Sequence, residues 1–244
     1  MTLLRVSKLS KYFGGLAAVQ DLDLFAEKGE IVGLIGPNGA GKTTVFNLIS
    51  GYLTPTGGEI AFKGESLAGL KPNRVCKKGI GRTFQIVQPF AGLTVLKNVM
   101  ISALNRTEKP KIAEEKSLDI LQFLGLSEKR NFPVGSLTIA DRKRLELAKA
   151  LATEPELMLL DEVAAGLNPR ETEDIIGMIK QINKRGIGLL MIEHVMKAIV
   201  SLASRIVVIN FGIKIAEGAP SEVLRHPEVV KAYLGGDIKV AEHK

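Results

Sequence analysis

A glycine-rich loop at residues 36–43, with the sequence GPNGAGKT, constrains this chain more than any other segment. It fits the pattern G-x-x-x-x-G-K-[ST] without a mismatch. Glycines let backbone N–H groups close around a phosphate chain, and the N-terminus of the following helix favours anions. In this pattern Lys42 reaches the β- and γ-phosphates, and the Thr43 hydroxyl ligates Mg²⁺. Because an apolar run precedes the loop at 31–35 and a helical pattern follows it at 43–50, the segment predicts strand, phosphate-binding loop and helix in an α/β fold.

Composition suits a single large globular domain, or a core with one inserted subdomain. The chain has 244 residues, of which 45% are apolar and 24% are charged. We expect no signal peptide, because polar residues interrupt the opening stretch MTLLRVSK, and no apolar run approaches the length of a membrane span. A single cysteine, Cys76, excludes an internal disulfide. Together these features predict a cytosolic location.

The net charge of +7 leaves more than one class of partner open. Basic proteins bind nucleic acid, lie against anionic membrane surfaces, or are simply well solvated. Aromatic residues make up only 5% of the chain and no RNA-binding motif accompanies its basic residues, so we expect no nucleic-acid partner. A protein next to a membrane and a plainly solvated surface both remain consistent with the charge.

Hydrophobic periodicity divides the chain into an α/β core and an inserted helical part. Strands are predicted at 3–9, 19–25, 59–63, 156–160, 188–192, 205–209 and 213–217. Helices are predicted at 94–104, 112–126, 142–153, 171–184, 221–226 and 227–234. We expect one domain over residues 1–244, in which 1–87 and 152–244 form the core and about 88–151 form a helical subdomain.

Three polar residues come at the ends of predicted buried strands. Asp161 and Glu162 follow the run ELMLL, and His194 closely follows LLMI. In open α/β sheets ligands bind at the carboxyl ends of the strands, beside the phosphate loop. There Asp161 can support Mg²⁺, Glu162 can orient and polarise an attacking water, and His194 can donate a hydrogen bond to a γ-phosphate. The loop and these residues together predict a site for a nucleoside triphosphate.

The order of these motifs resembles that of the ATP-binding subunits of ABC transporters over nearly the whole chain. The resemblance implies an α/β P-loop NTPase core of the ABC ATPase type, with an antiparallel β subdomain and an inserted α-helical subdomain. It implies that Phe13 stacks on adenine, that Ala18 lines the same pocket, and that Gln85 senses Mg²⁺ and the γ-phosphate.

The resemblance also assigns the remaining roles at the site. Glu162 takes the position of the catalytic glutamate and His194 that of the switch histidine. The implied nucleotide-binding residues are Phe13, Ala18, Gly36, Asn38, Gly39, Ala40, Gly41, Lys42, Thr43, Thr44, Gln85 and Thr138. The implied metal ligands are Thr43, Gln85 and Asp161. ATP and Mg²⁺ are therefore the expected ligands.

One motif departs from the family pattern. The segment LTIAD at residues 137–141 stands where relatives usually have LSGGQ. Thr138 keeps a hydroxyl, but Ala140 adds a methyl where the backbone must approach phosphate, and Asp141 adds a negative charge near other negative charges. In this family ATP lies between the phosphate loop of one subunit and the signature motif of another. The departure therefore favours a heterodimer with a different ATPase subunit, with two unequal sites.

Shorter segments narrow the resemblance further. FGGL at 13–16, RTFQ at 82–85, AAGLNP at 164–169 and PEVVKAYL at 227–234 are similar to the ATPases of branched-chain amino acid importers, which include relatives for amides. This implies integral membrane permease subunits as partners, coupled around residues 85–98, a substrate-binding protein as an indirect partner, and a peripheral place on the cytoplasmic face of the plasma membrane. Three alternatives stay open: an ABC ATPase of the lipopolysaccharide-export type, a soluble ABC-type ATPase for assembly or repair, and a small-molecule kinase.

Overall fold

The computed structural model describes residues 1–85 and 90–234. Its strands are β1 (Thr2–Phe13), β2 (Leu16–Glu27), β3 (Ile31–Ile35), β4 (Gly57–Phe62), β5 (Glu65–Ser66), β6 (Ile80–Arg82), β7 (Leu157–Asp161), β8 (Gly188–Ile192), β9 (Arg205–Asn210) and β10 (Ile213–Gly218). Its helices are α1 (Lys42–Ile49), α2 (Pro72–Lys78), α3 (Val95–Ala103), α4 (Pro110–Phe123), α5 (Ile139–Ala152), α6 (Pro169–Lys184), α7 (Met196–Leu202), α8 (Pro220–Val223) and α9 (Pro227–Leu234).

The smaller sheet is antiparallel. Within the described ranges it has the order β2-β1-β4-β5, and β1 pairs antiparallel with both β2 and β4. Leu4 and Val6 on β1, and Leu22 and Leu24 on β2, are buried, while their neighbours in each strand are more exposed. This alternation is what buries one face of a sheet and leaves the other face in water. The expected antiparallel β subdomain is therefore present.

The larger sheet is mostly parallel and has the order β10-β9-β3-β8-β7-β6 among the described strands. Every residue of β7 is buried, because both faces of this strand are covered. Met158 and Leu160 pack in the core cluster beneath the helices, whereas Leu157 and Leu159 pack in the cluster shared with the smaller sheet. That explains the unbroken apolar run of the strand. The carboxyl ends of parallel β3, β7 and β8 meet at one edge, and the candidate site lies there.

The helical part packs around α3, which contacts both α4 and α5. Apolar side chains at helical spacing, among them Val99, Ala103, Leu121 and Leu145, are buried in the contact. The last helix, α5, ends at Ala152, one residue past the expected limit of the subdomain. The expected start near residue 88 lies outside the described residues. The division into core and subdomain therefore stays a prediction.

Four of these strands and helices were not predicted from the sequence: α2, β5, β6 and α7. In α2 only Val75 is buried, so no apolar periodicity marks the helix. Strand β6 is too short to show alternation, and it is held by pairing with β7. Neither element carries enough local signal, because tertiary contacts rather than propensity stabilise it.

Candidate nucleotide-binding site

The phosphate loop joins β3 to α1 and depends on glycine at two positions. A Cβ atom added at Gly36 would lie 2.1 Å from the carbonyl oxygen of Ile209, and one added at Gly41 would lie 2.4 Å from that of Ala18. Gly41 also has a left-handed backbone, with φ of 103°. It forms the N-cap of α1 and offers no side chain to cap the helix. The first N–H groups of α1 are thus available for an anion.

Lys42 folds back over this loop. Its Nζ donates hydrogen bonds to the carbonyl oxygens of Gly36, at 2.7 Å, and Pro37, at 2.8 Å. Burial lowers the pKa of Lys42, while the carboxylates of Glu162 and Asp161 raise it. The ammonium group therefore faces two acidic side chains from the end of β7, across the space where a phosphate chain would lie.

One pocket of about 640 Å³ brings most of the predicted nucleotide-binding residues together. Its lining residues are Phe13, Leu16, Ala17, Ala18, Gln20, Asn38, Gly39, Ala40, Gly41, Lys42, Thr43, Thr44, Gln85, Glu162 and Phe211. Phe13 is 46% exposed, so its ring can be covered by a ligand. Sequence reasoning missed Leu16, Ala17, Gln20 and Phe211. Phe211 is an exposed aromatic residue in a turn, and its backbone is left-handed, with φ of 47°. This backbone conformation is the feature that marks the residue, and it is visible in the structure rather than in the sequence.

Asp161 lies buried at the end of β7 and has one unpaired oxygen. Its backbone N–H donates to Thr83 Oγ1 at 3.0 Å, and its Oδ2 lies 3.3 Å from a guanidinium nitrogen of Arg82. Within the described residues, Oδ1 has no hydrogen-bond partner. Burial raises the pKa of Asp161 and Arg82 opposes that shift. A buried carboxylate oxygen without a partner, close to the phosphate loop, is a suitable ligand for a hard cation such as Mg²⁺.

Arg82 was not predicted as a site residue, yet it links Asp161 to the phosphate-loop helix. Its guanidinium donates to Asn47 Oδ1 on α1 at 2.7 Å and to Ser50 Oγ, at the C-cap of α1, at 2.8 Å. It also lies 5.0 Å from the ring centroid of Phe84. In the sequence Arg82 opens the segment RTFQ, and nothing in that segment marks it as the partner of Asp161. The signal is missing there because its partners come from distant parts of the chain.

Glu162 is held by two of the predicted residues. Gln85 Nε2 donates to its Oε2 at 2.6 Å, and His194 Nδ1 lies 3.6 Å from its Oε1. Glu162 also has a left-handed backbone, with φ of 50°, and its N–H donates to the carbonyl oxygen of Ile192 on β8. The structure therefore brings Gln85, Glu162 and His194 into one group at the carboxyl edge of the sheet.

The altered signature segment forms the N-terminus of α5 and does not line the pocket described above. The Thr138 hydroxyl caps the helix: it accepts from the Asp141 N–H and donates to Asp141 Oδ2 at 2.9 Å. Asp141 is buried and paired with Lys129. Burial would raise the pKa of Asp141, but the hydrogen bonds from Lys129 and Thr138 lower it. The sequence suggested a charge directed at phosphate, whereas here the carboxylate turns inward and is neutralised.

Comparison with known proteins decides the family. A family model described as "ABC transporter" matches residues 19–165, and one described as "Branched-chain amino acid ATP-binding cassette transporter" matches residues 214–239. The first match spans more than half of the chain. The chain belongs to the ABC transporter family. This confirms the resemblance stated from the motifs and the expected enzyme class, an ABC ATPase.

Relatives match along almost their full length. The high-affinity branched-chain amino acid transport ATP-binding protein BraF of Pseudomonas aeruginosa is 39% identical, over 96% of this chain and 98% of that protein. The protein of the same description named LivG, from Escherichia coli K12, is 40% identical with the same coverage. These relatives confirm the expected kind of protein, an ATP-binding subunit of an ABC transport system.

Solved structures confirm the fold class of this ABC protein. A nucleotide-free ATP-binding cassette from an ABC transporter superposes with a TM-score of 0.88 at 32% identity, over 96% of this chain and 99% of that chain. An ATP-binding cassette in its ADP conformation gives the same values, which supports a nucleotide as the ligand. Within residues 1–85 and 90–234, no helix is both long and apolar enough to cross a membrane.

Proposed function

We propose that this ABC protein is the ATP-hydrolysing subunit of an importer for branched-chain amino acids or related amino acids and amides. The observation that carries the proposal is the single pocket that unites Phe13, the phosphate loop, Gln85 and Glu162. The substrate class is supported by the descriptions of BraF and LivG and by the model matched at the C-terminal segment.

Binding of ATP follows from the two ends of the pocket. The exposed ring of Phe13 offers a face on which adenine stacks. At the other end, the phosphates meet the N–H groups of the loop and of the first turn of α1. Lys42 then exchanges its two carbonyl contacts for phosphate oxygens, which are stronger acceptors for an ammonium group.

Mg²⁺ fits the residues at the phosphate end. Thr43, Gln85 and Asp161 would hold it together with phosphate oxygens, and the unpaired Oδ1 of Asp161 is the observation that supports this assignment. When bound, the cation would neutralise charge on the phosphate oxygens.

Hydrolysis needs an ordered water, and Glu162 is the carboxylate suited to order it. Its side chain accepts a hydrogen bond from the water and polarises it, as the water oxygen bonds to the γ-phosphorus and the bond from phosphorus to the bridging oxygen breaks. Gln85 fixes one carboxylate oxygen of Glu162, and His194 lies beside the other.

We extend the proposal to the assembly in which the subunit works. In our proposal the site is closed by the signature motif of a second, different ATPase subunit, and Thr138 serves the opposite site. A Thr138 hydroxyl already engaged by Asp141 supports an opposite site of lower activity. The subunit is peripheral on the cytoplasmic face of the plasma membrane, drives integral permease subunits and depends indirectly on a substrate-binding protein. The coupling segment expected at 85–98 includes residues 86–89, which lie outside the described residues.

The test of hydrolysis is Glu162→Gln. Loss of the water-orienting carboxylate should lower turnover about 10²- to 10⁴-fold, while ATP still binds. Phosphate release measures turnover, and binding of a fluorescent ATP analogue measures affinity. Glu173→Gln is the matched control, since it removes an exposed carboxylate that pairs with Lys197 and does not line the pocket. Undiminished turnover in Glu162→Gln would contradict the assignment.

The test of import uses the assembled transporter. The chain is co-expressed with its permease subunits and partner ATPase, and uptake of labelled leucine, isoleucine or valine is followed with wild type and with Glu162→Gln. We expect co-purification and uptake that requires Glu162. Stable isolation without any membrane subunit, together with full ATPase activity and no uptake, would favour a soluble ABC ATPase instead.

A further inference from the structure

A buried lysine of the signature helix reaches the backbone of the proposed catalytic residue. Lys143, on α5, is only 6% exposed, and its Nζ donates to the carbonyl oxygen of Glu162 at 2.7 Å. Burial lowers the pKa of Lys143, while nearby carboxylates, with Glu193 first among them, raise it. A buried ammonium group with a backbone carbonyl as its hydrogen-bond acceptor is costly to place, so its position calls for an explanation.

Glu193 holds the other end of the same turn. It precedes His194, is 1% exposed, and its Oε1 accepts from the N–H of Ala164 at 2.8 Å. Its second oxygen, Oε2, has no partner within the described part of the chain. Lys143 and Glu193 therefore bracket residues 162–164, one through the first carbonyl and the other through the last N–H.

The bracketed turn carries strain that needs such support. Glu162 has φ of 50°, a left-handed conformation that a non-glycine residue adopts only when its surroundings hold it there. Val163 follows it, so no proline ring stiffens the backbone at this point. Freeing the turn would let Glu162 relax toward a common conformation and would move its carboxylate away from Gln85 and His194.

We propose that Lys143 and Glu193 are positioning residues for Glu162. Their two hydrogen bonds hold the turn at 162–164 in the conformation that directs the Glu162 carboxylate into the site. Lys143 also ties that turn to α5, the helix capped by Thr138. This inference rests on the proposed function, because the position of the turn at 162–164 matters for hydrolysis only if Glu162 orders the attacking water.

The first test is Lys143→Met, which keeps an apolar stem of similar length and removes the donor. We expect turnover to fall about 10- to 100-fold, since a displacement of about 1 Å at a reacting group costs this much. ATP affinity should stay within about twofold, because the bracket touches no predicted nucleotide contact. Lys149→Met is the matched control: it also takes a lysine of α5 away from a buried carboxylate, that of Glu146, but it does not contact Glu162.

A double variant separates positioning from stability. Lys143→Met leaves the buried Glu193 charge without its nearby cation and should lower the melting temperature. Adding Glu193→Gln removes that charge and keeps an acceptor for the Ala164 N–H, so the melting temperature should recover. Turnover should stay low, because the carbonyl oxygen of Glu162 still lacks the hydrogen bond from Lys143. Recovery of turnover together with stability would overturn the proposal, since the bracket would then be merely structural.

Two further variants complete the set. Glu193→Gln alone should keep most of the turnover, whereas Glu193→Met, which has no comparable acceptor, should lower it as Lys143→Met does. Glu162→Gln is measured alongside to keep the two inferences apart. If Glu162→Gln is inactive while Lys143→Met and Glu193→Met remain fully active, the positioning role is wrong. If Glu162→Gln itself is active, the proposed function is wrong.

Discussion

Arg82→Met is the substitution whose effect follows most directly from the structure. It removes the guanidinium from an ion pair with Asp161 in which the two side chains are 8% and 3% exposed. It also removes the donor shared by Asn47 on α1 and Ser50 at the C-cap of that helix. The substitution therefore leaves a buried negative charge at the end of β7 without its partner. It also removes the contacts that link this strand to the phosphate-loop helix.

The magnitude can be worked from these contacts. Removing one partner of a buried ion pair costs about 3–5 kcal/mol, because the remaining charge is left uncompensated. In a protein of about this size each kcal/mol lowers the melting temperature by about 2–4 °C. We therefore expect a fall of roughly 6–20 °C, measured by calorimetry without nucleotide.

Two comparisons make the Arg82 prediction refutable. The double variant Arg82→Met with Asp161→Asn removes the stranded charge and should recover most of the loss. Lys63→Met breaks an ion pair with Glu156 whose partners are 43% and 45% exposed, and it should change stability by at most about 1 kcal/mol. A fall of less than about 2 °C in Arg82→Met, or a double variant as unstable as the single one, would refute the reasoning.

Three other predictions address the pocket and the altered signature. Because the folded-state pKa of Asp141 is lowered below its ordinary value of 3.8, its carboxylate stabilises the protein above that pH and the contribution is lost on acidification. When the pH falls from 5 to 3, the free energy of unfolding, measured with urea, should therefore decrease less in Asp141→Asn than in wild type. An equal decrease would contradict the pairing of Asp141 with Lys129. Gly41→Ala should weaken ATP binding at least about tenfold, since its Cβ would lie 2.4 Å from the Ala18 carbonyl oxygen, whereas Gly92→Ala, where the Cβ meets nothing, should bind normally. Phe13→Ala should weaken ATP binding by about 1–3 kcal/mol in calorimetric titration, while the binding of inorganic triphosphate, which has no adenine, stays unchanged. An unchanged affinity for ATP would rule out adenine stacking on Phe13.

Much of the candidate site could be predicted from the sequence because its chemistry lies in short, local patterns. The phosphate loop requires glycines, a lysine and a hydroxyl at fixed spacing, and these can be recognised without knowing the fold. The buried strand before Asp161 could be predicted as well, since a strand covered on both faces must be apolar throughout. Strands β1 and β2 followed from alternation, with boundaries off by a few residues, whereas their antiparallel subdomain was implied by the family resemblance.

Other features could not be predicted because no local pattern encodes them. Helix α2 buries one side chain, and β6 exists only through its pairing with β7. The burial and pairing of the Asp141 carboxylate could not be predicted from its position in the motif. It turns inward because Lys129, outside the motif, pairs with it.

The sequence by itself predicted a nucleotide site at residues 36–43 and membership of the ABC ATPases, because residue type and spacing along a short segment are enough to indicate that chemistry. The tertiary structure alone decided how the acidic residues at the sheet edge are held. Arg82 reaches Asp161 across 79 positions of the chain, and Lys143 on α5 and Glu193 after β8 hold the two ends of the turn at 162–164. Such contacts depend on the packing of distant segments, so only the folded chain brings them together.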